Sequence, residues 1–398
     1  MNFGQLRRPP LLVYAVASAN VVFYTAFFPL VPDIEEEFGL SKVDVGALVT
    51  AYGVAFVVAS IATGLLTDRI SARHVLIGTS ATLAVAAVGH AVAVDFWTML
   101  AARSLYGFAG APVLIAGLSW LSDSVPDDGR DRALAAVVPI TGVGAMVGFT
   151  FSGVVGDQLG IAAVFLTCAV LFGATTVGLL VGEVGGRASH PHRTVGETFR
   201  AGRTARAVIA VALLFFLASL SETLVNLLGA LQLDENGVSA GGIGVALAIG
   251  TGVFVVVSLV VTRFAEQVVR LGILGVTSLL LAASMVPLLV SDSSGAIVSA
   301  LLLRAGVFGL VYGIGFPLAA LAAIRARIGL GATNGLLMLA IGASYALGPL
   351  SGAALAESVG DRWVYAALVA VSVGGAVFIL GTSRAEKISN DSTPEPSA

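Results

Sequence analysis

Twelve separate runs of about twenty apolar residues fill this sequence, at 11–31, 44–67, 75–93, 97–119, 134–156, 161–182, 207–231, 241–262, 271–290, 296–320, 333–356 and 363–382. A run of that length matches an α-helix crossing the roughly 30 Å hydrocarbon core of a bilayer. Hydrocarbon offers no partner to a backbone N–H or C=O, so a spanning segment must satisfy both internally, as a helix does. Charge supports the same reading. Only 11% of the residues are charged, against about 25% in soluble domains, too little to cover a water-facing surface. The expectation is an all-α membrane protein with 12 transmembrane helices, in which 398 residues leave no room for a soluble catalytic domain.

Several classes drop out. A lone cysteine, Cys168, lies in an apolar run, which excludes internal disulfides and disfavours a catalytic thiol. The four histidines are scattered, with no metal-ligand spacing, so no metal and no cofactor is expected. The net charge of −3 is small and says little about a soluble partner, and no nucleic-acid partner is expected. Arg7 and Arg8 ahead of an apolar run resemble a secretory signal, but the run continues through Phe28 and reads better as an uncleaved first span.

Arginine and lysine set the orientation. With both termini in the cytoplasm, the inner side holds the basic residues of the N-terminus, of 69–73, 130–132, 187–206, 263–270 and 325–327, and of the tail, whereas the outer side holds only Lys42 and Arg362. The chain also repeats at an offset near 200 residues. "FGLSKVDVGAL" (38–48) answers to "NGVSAGGIGVA" (236–246), Arg103 falls near Arg304, and Gly148 matches Gly348. This predicts an N-terminal six-helix half over 1–183, a cytoplasmic linker at 184–206, a C-terminal half over 207–383 and a disordered tail at 384–398.

Four local motifs join the repeat. Between spans 2 and 3 stands "GLLTDRISARH", with Gly64, Asp68, Arg69 and Arg73. Span 4 carries "RSLYGFAG" from Arg103. Span 5 carries "GAMVGFTFSG", with Gly144, Gly148 and Gly153, and span 11 carries "SYALGPLSG", with Gly348, Pro349 and Gly352. Together these resemble the major facilitator superfamily of transporters, the drug and metabolite:proton antiporters in particular, over essentially the whole chain. Two six-helix halves related by a parallel repeat are that superfamily's architecture. The resemblance implies that Gly64, Asp68, Arg69 and Arg73 form a gating latch, with the aspartate at a helix N-terminus of the other half and the basic residues pairing across the interface. It implies proton coupling for Arg103, and a cavity lined by spans 1, 4, 7 and 10. In span 5, Phe149 stands where the antiporter motif has proline and Ser152 where it has glycine. The small residues of spans 5 and 11 also serve close helix packing.

Ionisable side chains inside a bilayer are costly and mark function by default. Of the 24 acidic residues, Glu222 alone lies well inside a span. Arg103 and Arg304 are the basic residues within spans, and all three fall on the implied cavity helices. Neutral polar and aromatic residues continue the pattern at helical spacing: Asn20 and Tyr24, Arg103 and Tyr106, Glu222 and Asn226, Arg304 and Tyr312. These eight are the candidate substrate-binding residues, with Glu222 and Arg103 as the candidate proton-coupling pair. A permanent Glu222–arginine bridge is the structural alternative for Glu222.

The function expected is proton-coupled export of a small organic solute by alternating access, from a monomer in the plasma membrane whose partners are its substrate, protons and the lipid bilayer. Two arginines against one carboxylate make an uptake symporter for an organic or inorganic anion the alternative. A membrane enzyme is disfavoured. Asp123, Asp127 and Asp131 lie four apart, but Mg²⁺–diphosphate chemistry needs a second aspartate-rich motif and none is present.

Overall fold

The computed structural model describes residues 9–66, 70–126, 129, 133–134, 136–182, 206–264, 271–325 and 330–391, and among these every regular element is helical. Among the described residues, eleven helices are long and apolar enough to cross a membrane. One of them, Val137–Val181, has 45 residues and would measure about 68 Å if straight, roughly two bilayer cores. It breaks at Gly160, whose φ of 80° and ψ of 172° are non-helical. The two arms are separate crossings, which restores twelve.

Span 1 is built from Pro9–Ala26, a 3₁₀ turn at Phe28–Leu30 and Val31–Phe38. Spans 2, 3 and 4 are Lys42–Leu66, Ala72–Ala91 and Phe96–Ser124, and spans 5 and 6 are the arms of Val137–Val181. Spans 7 and 8 are Arg206–Glu235 and Ala240–Arg263; span 9 is Leu271–Ser284 with Val286–Val290. Spans 10, 11 and 12 are Ser294–Arg325, Leu330–Val359 and Asp361–Asp391. Span 12 thus stays helical through Asp391, into the tail expected to be disordered, because Ala385, Glu386 and Lys387 all favour helix. The linker expected at 184–206 lies outside the described residues except for Arg206.

The turns reproduce the repeat. Gly39, Gly160, Gly237 and Gly360 have φ between 61° and 100°, a left-handed conformation that side chains with a Cβ rarely adopt. Gly39 and Gly237 close spans 1 and 7, and Gly160 and Gly360 separate the last two spans of each six. All four lie at one end of the bundle. That end also carries Asp44, Asp157, Asp234, Glu235, Asp292 and Asp361, and is called the acidic end below; Arg73, Arg263 and Arg325 mark the opposite, basic end. Asp95, in the turn before span 4, forms a capping box with Thr98: its carboxylate accepts from Thr98 N–H at 2.8 Å, while Thr98 Oγ1 accepts from Asp95 N–H at 3.2 Å. Those bonds hold the Asp95 carboxyl below the usual carboxylate range.

Two seams join the first six spans to the last six: span 2 against span 11, and span 5 against span 8. Bilayer lipid is as apolar as the spans, so close backbone approach holds these helices together, and glycine permits it. A Cβ on Gly53 would land within the Tyr345–Ala346 peptide, and one on Gly46 would lie 2.6 Å from the Ala353 Cβ. In span 5, Gly144 and Gly148 meet span 1 at Ser18 and Val22, and Gly153 meets Ala240 of span 8. Gly348 and Gly352 lie instead against Leu220 and Leu224 of span 7. Pro349 lacks an N–H, and the next one along, on Leu350, donates across the seam to Thr50 Oγ1 at 3.0 Å.

Within the first six spans, Gly107 of span 4 sits on the Tyr52 backbone of span 2, with the Tyr52 Cα 2.9 Å from where a Cβ would be. Gly107→Val is expected to destabilise the protein by about 1–3 kcal/mol through overpacking. Thermal unfolding in detergent checks this, and an unchanged midpoint would contradict the packing described.

Candidate functional site

The polar residues of spans 7 and 10 form one group. Asn226, one turn from Glu222 on span 7, accepts from Arg304 Nη2 at 3.0 Å. Both partners are buried, and Arg304 Nε has no acceptor. Glu222 is half-buried and forms no ion pair within 4 Å among the described residues; Asn226, not Glu222, anchors Arg304. The permanent Glu222–arginine bridge is therefore absent from this conformation. Glu222 is instead within electrostatic range of Arg304, Tyr24, Tyr312 and Tyr345, which places spans 1, 7, 10 and 11 around one carboxyl group. Tyr312 stacks among Phe215, Phe254, Phe308 and Phe316 at centroid distances of 4.7–5.5 Å, so packing fixes its ring orientation.

Arg103 belongs to a second group. Its guanidinium carbon lies 3.9 Å from the Phe27 ring centroid, 5.4 Å from that of Tyr52 and 5.7 Å from that of Tyr106. The side chain is fully buried, and none of its three nitrogens has a hydrogen-bond partner among the described residues. A desolvated cation–π contact is worth about 2 kcal/mol, less than the several kcal/mol that burial of an ion costs. Tyr106 donates to the Asn20 backbone carbonyl at 2.8 Å, and the Asn20 Oδ1 is left without a partner. His90 of span 3 packs edge-on against Phe23; its Nδ1 donates to Ala86 O at 2.7 Å and its Nε2 is unpartnered.

Three tyrosines join the two groups across a seam. Tyr24 lies 5.1 Å from Tyr52 and 5.7 Å from Tyr345, and Tyr52 lies 6.2 Å from Tyr345, centroid to centroid. Spans 1, 2 and 11 thereby meet in one aromatic cluster between Arg103 and Glu222. Of the eight candidate binding residues, Glu222, Asn226, Arg304 and Tyr312 gather on spans 7 and 10, Asn20, Arg103 and Tyr106 inside the first six spans, and Tyr24 between them.

Tyr52, Tyr345 and His90 escaped the sequence reading. Tyr345 sits within the "SYALGPLSG" stretch and Tyr52 immediately precedes Gly53. An aromatic beside a packing glycine was the available signal.

The gating motif is only partly described. Asp68 and Arg69 lie outside the described residues, as do the surroundings of Gly64. Among the described residues, the hydrogen bonds of Arg73 stay within the first six spans. Its Nε and Nη2 donate to the carbonyls of Leu179, Leu180 and Gly182 at 2.8–3.1 Å, capping the C-terminal end of span 6. Those carbonyls have no partner within the helix, and the helix dipole favours a cation there.

The acidic end holds a polar lock that sequence alone did not reveal. Lys42, opening span 2, contacts Asp361 and Glu235, each at 3.2 Å. Asp361 also accepts from Gln232 Nε2 at 2.9 Å, and Gln232 Oε1 accepts from Tyr365 at 3.0 Å. Nearby, Val43 N–H donates to Glu357 at 3.0 Å, and Asp157 accepts from Gly241 N–H at 2.9 Å. The end of span 1 at Phe28–Phe38 packs on span 7, whereas Pro9–Ala26 packs chiefly on spans 4, 5 and 6.

Comparison with known proteins follows the same lines. A chloramphenicol resistance protein of Streptomyces lividans is 29% identical over 183 residues, covering 45% of this chain and 47% of the relative. The inner membrane transport protein YajR of Escherichia coli (strain K12) is 28% identical over 152 residues, covering 38% and 33%. The chain thus spans less than half the length of these curated relatives. A bacterial homologue of the human lysosomal transporter Spinster, solved in an inward-facing, unoccupied conformation, superposes with a TM-score of 0.77 at 14% identity over 98% of both chains. The nucleoside transporter NupG gives 0.71 at 14% over 94% of this chain and 98% of that one. Both show the shared fold. Residues 13–328 match the family model of the Major Facilitator Superfamily, and the chain belongs to that superfamily of membrane transporters.

Proposed function

We propose that the chain is a proton-coupled secondary transporter that exports a small organic solute by alternating access, with Glu222 carrying the coupling proton. The observation that carries this reading is a carboxyl group deep in span 7, without an ion pair among the described residues and still partly accessible, one turn from the Asn226–Arg304 pair. Substrate and proton that both act on Glu222 change each other's affinity reciprocally. The two six-span halves, 1–183 and 207–383, are the moving bodies, and the basic end faces the cytoplasm in a plasma membrane, in keeping with its arginines. Lock contacts at the acidic end correspond to an inward-facing state. The likeness to a chloramphenicol resistance protein favours export. Everted membrane vesicles test the direction. With the lumen acidified, a transported solute is expected to dissipate the pH gradient, and no dissipation across amphenicols, organic cations and organic anions would count against export.

The alternative, uptake of an anion with protons, is favoured by the charge balance of Arg103 and Arg304 against Glu222. Under either direction Arg304→Gln is expected to weaken binding of an anionic substrate about tenfold or more, because a charge-assisted bond to arginine contributes roughly 1.5–3 kcal/mol. Equilibrium binding to purified protein checks this, and unchanged affinity would remove Arg304 from the site.

A further inference from the structure

We propose that Arg103 is the core of a binding site for a small monovalent inorganic anion of halide size, enclosed within the first six spans. The guanidinium is fully buried, and among the described residues none of its nitrogens has an acceptor. Arginine does not shed its proton in a protein, so this buried group is a charge as well as a set of unused donors. The faces of Phe27, Tyr52 and Tyr106 answer part of the charge. They offer no lone-pair oxygen or nitrogen to the five N–H donors of the guanidinium.

Arg304 provides the internal comparison. It stands near the repeat-related position of the other half, where Asn226 accepts from it and Glu222 lies within electrostatic range. The chain supplies those partners at one arginine and withholds them at the other. Among the described residues no carboxylate pairs with Arg103 within 4 Å.

The surroundings limit the occupant. Gly107 rests on the Tyr52 backbone too closely to admit a Cβ, and Phe27 and Tyr106 are fully buried beside the guanidinium. That enclosure suits a single-atom anion rather than the carboxylate of an organic solute. Water is the competing occupant, and it suits the orphan acceptors nearby, Asn20 Oδ1 and His90 Nε2. It would leave the charge of Arg103 unbalanced. Exchange with solution requires the Tyr24–Tyr52–Tyr345 cluster to part, so the anion is expected to leave slowly.

The test is thermal unfolding of the purified full-length protein in nanodiscs, without substrate, as sodium gluconate is replaced by sodium chloride, bromide or nitrate at constant ionic strength. A saturable rise in midpoint is expected for the wild type and for Arg263→Gln, which removes an exposed charge at the basic end, and is expected to vanish in Arg103→Gln. Arg103→Lys, which keeps the charge, should retain a weaker rise and guards against a folding defect. Bromide should give an anomalous scattering peak at the guanidinium. No saturable rise in the wild type, or an equal rise in Arg103→Gln, would overturn the proposal. The readout uses no transport, so its failure is distinguishable from failure of proton coupling.

Discussion

Glu222→Gln is expected to carry substrate down its gradient while moving no protons. The amide keeps the size and most hydrogen-bonding geometry of the carboxyl but holds no exchangeable charge at neutral pH. If Glu222 is the proton site, substrate binding loses its pH dependence. A coupling free energy of the usual size, about 1–3 kcal/mol, corresponds to roughly 5- to 150-fold in affinity between the protonated and deprotonated forms, and this factor should fall to unity. Energy-independent exchange of substrate for substrate should survive, because it needs both access states but no net proton movement. Paired measurements of exchange and gradient-driven accumulation separate the outcomes. Loss of both would assign Glu222 to folding or binding, and retention of wild-type accumulation would remove it from coupling.

Lys42→Glu is expected to open the acidic end. The single ammonium of Lys42 holds Asp361 and Glu235 from the opposite half at 3.2 Å each. Asp361 and Lys42 are only partly exposed and Glu235 is exposed; Lys42→Ala removes the attraction without adding a repulsion, so it should act less strongly than charge reversal. Charge reversal places a third carboxylate against two others, and like-charge juxtaposition costs several kcal/mol. A shift on the order of 2 kcal/mol would change the ratio of the two access states roughly thirtyfold. The native Cys168 is buried, so a cysteine introduced at Thr50, which bridges the seam to Leu350, reports opening through its alkylation rate. Faster labelling in Lys42→Glu than in Lys42→Ala is the predicted order, and equal rates in all three backgrounds would show that Lys42 closes nothing.

The fold was legible because bilayer physics leaves few choices. Apolar runs gave the spans, and the glycines at the acidic-end turns recur 198 and 200 residues apart, in step with the repeat. Periodicity also placed Glu222 and Asn226 on one face, and they remain together around Arg304. What it could not give was the neighbour across each face. Helical spacing says which residues share a stripe, not which span the stripe meets. For that reason the Tyr24–Tyr52–Tyr345 cluster, the capping of span 6 by Arg73 and the lack of a hydrogen-bond acceptor for Arg103 among the described residues became visible only in the folded chain. Lys42 shows in the sequence only as one of two outer basic residues, because its partners lie 193 and 319 residues away.

The most direct measurement of the central claim is lumenal pH in proteoliposomes of purified protein, with a trapped dye, on addition of substrate without an imposed gradient. Proton-coupled export by exchange predicts lumenal alkalinisation as solute enters and protons leave, abolished by Glu222→Gln. Acidification would establish the symport alternative. Solute entry with no change of pH in the wild type would contradict proton coupling altogether.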